Sequence, residues 1–181
     1  MRVNQSIIFL IASMLVLSCG KSDQEAEFTD TDSTPKSVSQ PYDFLINLEF
    51  GPDNFPPDFR EQTGYVLGLM DDDEYVINHV SDNKNQLLWF CKLTHRDESG
   101  RPHLKILDII ILPNFGANER LFMGNCNYDQ VEDQEIVALV DSDPEDLSTR
   151  VIKAWRANRE SLKFEEIAVD KVTCVDDSFY L

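Results

Sequence analysis

The chain has 181 residues, with 16 Lys+Arg against 33 Asp+Glu, a formal charge of −17. That balance excludes the basic footprint of a nucleic-acid binder and any electrostatic pull toward anionic lipid. Hydrophobic residues make up 42% of the chain, enough to build a packed domain, and 7 Gly and 8 Pro exclude collagen-like and Gly-rich classes. At the N-terminus, Arg2 and the amino group form a short positive region, followed by the apolar run Ile7 to Leu17. That run is too short to cross a bilayer of about 30 Å as a helix, but it has the length of a secretory signal.

Val16-Leu17-Ser18-Cys19-Gly20 follows. This stretch resembles the lipobox of bacterial lipoproteins, with an aliphatic residue, a small residue at Ser18 and the obligatory cysteine at Cys19. The resemblance covers about the first 20 residues. It implies cleavage before Cys19 and lipidation of Cys19 on its thiol and its new amino group. More than one acyl chain makes a stable anchor, because each buried methylene contributes about 0.8 kcal/mol. Residues 1–18 are therefore expected to be a signal peptide, with the mature protein lipid-anchored in the bacterial cell envelope. Gly20 after the cysteine favours the outer membrane.

Residues 19–40 have the composition of a tether. Phe28 and Val38 are the only large apolar residues between Gly20 and Gln40, among Ser, Thr, Asp and Glu. Such a segment cannot bury enough surface to offset its ordering entropy. Asp30 and Asp32 read as solvated tether rather than a metal site.

The segment 41–181 reads as one globular domain, mainly β, with 13 basic and 28 acidic residues. Candidate strands in chain order are 42–50, 64–70, 74–80, 86–95, 103–112, 120–126 and 135–140, with a Pro-rich loop at Pro52, Pro56 and Pro57 after the first. In 86–95, Leu87, Trp89, Cys91 and Leu93 share one face, with Lys92 and Thr94 opposite. In 103–112, Leu107, Ile109 and Ile111 fall together. The turn residues of 96–102 join these two runs as an antiparallel hairpin.

Residues 143–169 admit two readings. Asp143-Pro144-Glu145-Asp146 has the chemistry of a helix start, and Leu147, Val151, Trp155 and Leu162 fit helical spacing. Against that stands an internal echo at an offset of 61 residues. Asp72, Glu74, Val76, Ser81, Asp82 and Lys92 match Asp133, Glu135, Val137, Ser142, Asp143 and Lys153. Self-similarity of this kind predicts a repeated strand–loop–strand unit, with strands at 150–158 and 162–169. The expected fold is an antiparallel, sandwich- or barrel-like β domain with an internal two-fold repeat; the alternative is α+β with a helix near 144–160. The stretch from Glu135 through Ala154-Trp155-Arg156 to Phe164-Glu165-Glu166-Ile167 and Cys174 is similar to uncharacterised bacterial envelope proteins, a resemblance that implies no activity.

Four cysteines are present; with Cys19 assigned to lipid, Cys91, Cys126 and Cys174 remain. Cys91 lies in an apolar strand and reads as a buried small hydrophobe, whereas Cys126 and Cys174 sit at strand ends or loops. The expected bridge is Cys126–Cys174. Cys91 and His95 share a strand face, and His95 and His103 meet at the hairpin mouth. No metal-ligand spacing accompanies them, so no metal or catalytic residue is assigned. The acidic runs 71–74 and 141–146 read as a solvated turn and a cap; the second begins an Asp-x-Asp spacing but lacks a calcium loop's glycine at position six, and Ile152 stands where the bidentate Glu would be. Neither a Gly-x-Ser-x-Gly motif nor a Gly-rich phosphate loop occurs, and no cofactor is implied.

The functional expectation is a binding or structural module tethered to a membrane by its lipid, with no nucleic acid as partner. One alternative is an inhibitor of a cationic envelope-directed enzyme such as a lysozyme, because the acidic domain would speed encounter with a cationic protein partner. Another is an enzyme of unrecognised type.

Overall fold

Val, Ile, Leu and aromatic residues fill the apolar runs of the domain, and they favour extended, pleated backbone over helix. The computed structural model describes residues 41–67, 74–142 and 149–175. Among them the chain is mainly β. The strands are β1 (Glu49–Phe50), β2 (Arg60–Leu67), β3 (Tyr75–Ser81), β4 (Gln86–Arg96), β5 (Pro102–Ile111), β6 (Glu119–Met123), β7 (Cys126–Tyr128), β8 (Val131–Glu132), β9 (Ile136–Ser142), β10 (Thr149–Asn158), β11 (Lys163–Glu166) and β12 (Val172–Cys174). They form antiparallel sheets of order β1-β5-β4-β3-β2, β11-β10-β9-β6 and β12-β7-β8.

The sheets stack in layers, as in a β sandwich, and among the described residues no closed barrel forms. Ile77, Leu88 and Phe90 of the first sheet pack against Val137, Leu139 and Trp155 of the second. The opposite face of the first sheet carries Val80, Leu87, Trp89, Cys91 and Ile106. It is roofed by Tyr42, Leu45, Phe50 and Phe59 from the N-terminal segment. The opposite face of the second sheet carries Ile136, Ala138, Val140 and Ala154, covered by Cys126, Val172 and Cys174 of the third. The central strands of both large sheets are thus covered on both faces. This is why β4 runs without interruption from Leu87 to Cys91, and β9 from Ile136 to Val140, through fully buried residues.

Several sequence expectations change. Segment 42–50 is not one strand. A 3-10 turn at Asp43–Leu45 and a left-handed residue at Asn47 (φ 69°) fold it over the sheet; its strand is reduced to Glu49–Phe50, which pairs with β5, and Asn47 and Leu48 add backbone hydrogen bonds to Ile106. The trio Leu107, Ile109 and Ile111 is split by a register shift opposite Phe90/Cys91. Leu107 turns toward the second sheet and Ile109 toward the roof, while Ile111 is exposed. Segment 120–126 divides between β6 and β7 at Gly124 (φ +80°). A Cβ there would stand 2.0 Å from Cζ of Tyr65.

The repeat exists as topology. β2·β3·β4·β5 and β6·β9·β10·β11 are both four-stranded antiparallel meanders, with β7 and β8 as an excursion in the second. Residues 149–158 are strand, so the helix reading of 144–160 fails: Trp155 pairs with Val137 and Arg156 with Ile136. Register is where the repeat departs from the echo. Ser81 pairs with Gln86 across the first turn, but Ser142 pairs with Thr149 across a longer one, and a bulge follows between Val151 and Lys153. Trp89 and Trp155 consequently lie in different apolar clusters, one under the roof and one between the sheets. The first turn is structured as well. The Asp82 carboxylate accepts the Lys84 and Asn85 N–H groups at 2.6 Å and also the Tyr42 hydroxyl, so it pins the roof to the sheet.

Trp89 is fully buried and touches Phe50, Phe55 and Phe59, with ring centroids 5.2–5.6 Å apart. Trp89→Ala should destabilise the domain by about 3–5 kcal/mol. Urea unfolding followed by circular dichroism checks this; a loss below about 1 kcal/mol would show that the roof does not seal the sheet.

Candidate functional site

Roofing of the first sheet is incomplete. The turn formed by Gly51 to Phe59 covers Trp89 but stops short of β2, leaving a cleft of about 390 Å³ over β2, β3 and the far end of β4. Phe50, Phe55, Val66, Val76, Leu93 and Leu104 supply apolar walls. Glu61, Glu74, Asn78 and Arg96 supply the polar lining. A pocket of this size and character suits a small ligand.

The base of the cleft is Asn78. It follows Val76 and precedes Val80 on the roofed face of β3, paired with Trp89 on one side and Gly64 on the other. Its side chain is 1% exposed, and its Nδ2 donates to nothing among the described residues. Trp89 Nε1, on the neighbouring strand, is also buried without an acceptor. The absent side chain of Gly64 leaves room for two oxygens: a Cβ there would stand 3.0 Å from Asn78 Oδ1 and 3.3 Å from Glu61 Oε1. Glu61 is aimed the same way by a bulge in β2, where the register shifts between Glu61 and Thr63. At the rim, Arg96 is held by the Glu74 carboxylate, and both are partly exposed.

Cys91 lies beneath this region, beside Val76 in the pairing, and is fully buried. Burial pushes its thiol far up, with the Glu61 charge adding to the effect. It is a core hydrophobe, and His95, four residues further along the same strand, lies about 13 Å away by strand rise alone. His95 and His103 do meet, stacked at 4.3 Å, at the exposed end of the β4–β5 hairpin. Glu49 Oε1 accepts the Thr94 hydroxyl at 2.6 Å and lies 3.3 Å from His95 Nδ1, and Thr94 Oγ1 is 3.2 Å from the same Nδ1. Both contacts are to one ring nitrogen, Nδ1. Among the described residues no three His, Cys, Asp or Glu side chains converge as a metal site. Residues 71–73 and 143–146 of the two acidic runs lie outside the described residues, as does Cys19.

Cys126 and Cys174 are bonded, joining β7 to β12, where they are register partners. Around that sheet, Asp129 pairs with Lys171, Asp133 with Arg156 and Glu135 with Arg159, at 3.0, 2.7 and 2.6 Å. Arg156 and Lys171 also lie over the Tyr128 ring, at 4.9 and 5.4 Å. No helix among the described residues is long and apolar enough to cross a membrane. No protein-family model, no curated protein and no solved structure matches the chain.

Asn78, Gly64 and Glu61 escaped the sequence reading. The signals were a polar residue inside an apolar strand and an isolated glycine inside another, which marks a bulge or a close approach.

Two measurements test this chemistry. Denatured without reductant, the protein should show Cys91 alkylatable and Cys126 and Cys174 protected, and removing the bridge should cost about 2–4 kcal/mol. Alkylation of Cys126 and Cys174 would refute the pairing. His79 gives a pH test. Its ring is half-buried against Phe115, and burial holds its pKa below the ordinary 6.5 despite a 2.8 Å contact with Gln86. The unfolded chain therefore takes up this proton first. Stability should be full above pH 6.5 and fall below it, and His79→Gln should flatten that slope in paired urea titrations at pH 7.5 and 5.5. An identical slope in the variant would assign the acid sensitivity elsewhere.

Proposed function

We propose that this chain is an exported, lipid-anchored binding module of the bacterial cell envelope, favouring the outer membrane. The Cys126–Cys174 bridge carries the proposal. Such bonds persist in oxidising compartments and are rare in the cytosol, which agrees with the signal-like run before Cys19. A lipid on Cys19 would supply the membrane attachment, and the tether would set the reach of the domain.

Binding, rather than catalysis or inhibition, is the reading that the site supports best. The cleft has apolar walls and an unpartnered amide at its base. The thiol nearest to it is buried and held in its neutral form. An inhibitory acidic loop would present unneutralised carboxylates. Of the carboxylates around β7 and β8, those of Asp129, Asp133 and Glu135 are already matched by Lys171, Arg156 and Arg159 of the same domain.

Cys19→Ala should abolish incorporation of labelled palmitate and leave the precursor unprocessed. The check is metabolic labelling with membrane fractionation in the native host. Undiminished labelling of the variant would refute the anchor.

A further inference from the structure

We propose that the cleft over Gly64 binds a small apolar amine, its ammonium at Glu61 and Asn78 and its hydrocarbon body against the apolar walls. The inference deepens the binding reading above and rests on it, but not on the lipid anchor.

Acceptors select the ammonium. Asn78 Oδ1 and Glu61 Oε1 stand 3.0 and 3.3 Å from one point, the place that a Gly64 Cβ would occupy. An amide oxygen and an ionised carboxylate only accept hydrogen bonds. Among the described residues no donor reaches Asn78 Oδ1 and no cation pairs with Glu61. Asn78 is 1% exposed, so the gap above Gly64 is the opening its oxygen faces. Two acceptors with no donor between them leave a position for one, and the charge on Glu61 favours a donor that is a cation. An ammonium carries three N–H donors on one atom and no acceptor, so one group can serve both oxygens. The opposite rotamer of Asn78, with its NH2 toward Glu61, would satisfy the pair internally, and an ammonium would then gain nothing over a hydroxyl.

Charge points the same way. Glu74 and Arg96 hold each other at the rim, so Glu61 is the uncompensated charge of the cleft lining. A monocation balances it, whereas a carboxylate or phosphate would meet Glu61 with Arg96 already engaged. The formal charge of −17 on the chain also raises the local concentration of cations. A metal ion lacks its ligand set, because no three His, Cys, Asp or Glu side chains converge among the described residues.

The walls select what the amine carries. Phe50 and Phe55 on the roof side and Val66, Val76 and Leu93 on the sheet side enclose about 390 Å³, within the range of small-molecule sites. A bare ammonium would leave those walls in water, and an aryl-alkyl or alkyl body would cover them.

The test is a 1H–15N NMR titration of the full chain in nonionic detergent micelles at neutral pH, following the Gly64 backbone signal. The probe is 2-phenylethylamine. Its neutral isostere 2-phenylethanol lacks the charge, 3-phenylpropanoate reverses it, and ethylamine lacks the apolar body. The amine should give saturable shifts with a Kd on the order of 1 mM, the range for so small a ligand. It should bind at least fivefold more tightly than each of the other three. Glu61→Gln, at an exposed position that leaves the fold intact, should bring the amine to the level of the alcohol. Gly64→Ala, which sets a methyl against both oxygens, should weaken the amine at least fivefold. Raising the salt concentration tenfold should weaken the amine and not the alcohol. The proposal is overturned if any of the other three probes binds as tightly as the amine, or if either variant binds the amine as wild type does. In those cases saturation still leaves the cleft as a binding site for another ligand class. If no probe saturates, the proposal falls and the cleft falls with it as the binding site. Acylation of Cys19 reads the anchor separately.

Discussion

Phe90 stands where the two large sheets meet, fully buried, with Tyr75 and Phe164 rings at 5.6 and 5.7 Å. Its strand neighbours Trp89 and Cys91 point the other way, into the roofed face. That arrangement sets a constraint on everything else. A strand apolar on both sides needs cover on both sides, because each exposed Å² of apolar surface costs about 25 cal/mol. The second sheet covers one face, and the N-terminal turn with its four aromatic residues covers the other. The second sheet inherits the same problem and solves it with the small third sheet. Asp108 ties the layers at a polar point, accepting the Phe164 N–H at 2.7 Å across the two sheets. Burial raises the pKa of that carboxyl, against the backbone N–H bonds that lower it.

Cover made from a loop is less complete than cover made from a sheet. The roof is short and Pro-rich and cannot extend over the whole of the first sheet. Its aromatic side chains seal Trp89, but over β2 the face stays open. Gly64 and the bulge at Glu61 deepen that opening, and Asn78 places a polar group where a sealed sheet would carry a valine. The candidate site is thus a gap in the roofing, lined by the same residues that build the core. This explains its apolar walls and also its few polar groups.

The third sheet is small, with strands of two or three residues. Short strands make few hydrogen bonds, and an isolated sheet of this size is not stable in water. The Cys126–Cys174 bridge and the ion pairs of Asp129, Asp133 and Glu135 compensate. The bridge links the terminal part of the domain to its middle, restricting the unfolded chain. An anchored domain outside the cytoplasm, as proposed, would keep that bond oxidised.

Much of the architecture was legible along the chain. Alternation marked β3, β4 and β5, the echo anticipated a second hairpin like the first, and strand-end cysteines anticipated the bridge. These are local signals: period, turn chemistry and the position of a residue within its own strand. The reading failed where burial came from elsewhere. Leu88 and Phe90 share the strand face of Lys92 and Thr94, and the residues that cover them, Val137, Leu139 and Trp155, lie far along the chain. The segment 42–50 looked like a strand because its apolar residues are needed, but as a roof. The paired bulges and the longer second turn shifted registers that identity alone had aligned. The cleft was the least visible feature. Glu61, Gly64 and Asn78 adjoin only through pairing of β2 with β3, and only because a bulge re-phases one strand by a residue. Composition and period settle which segments are strands. Which faces are covered, and which polar group is left without a partner, depends on contacts between residues far apart in the chain, and these exist only once the sheets have closed on one another.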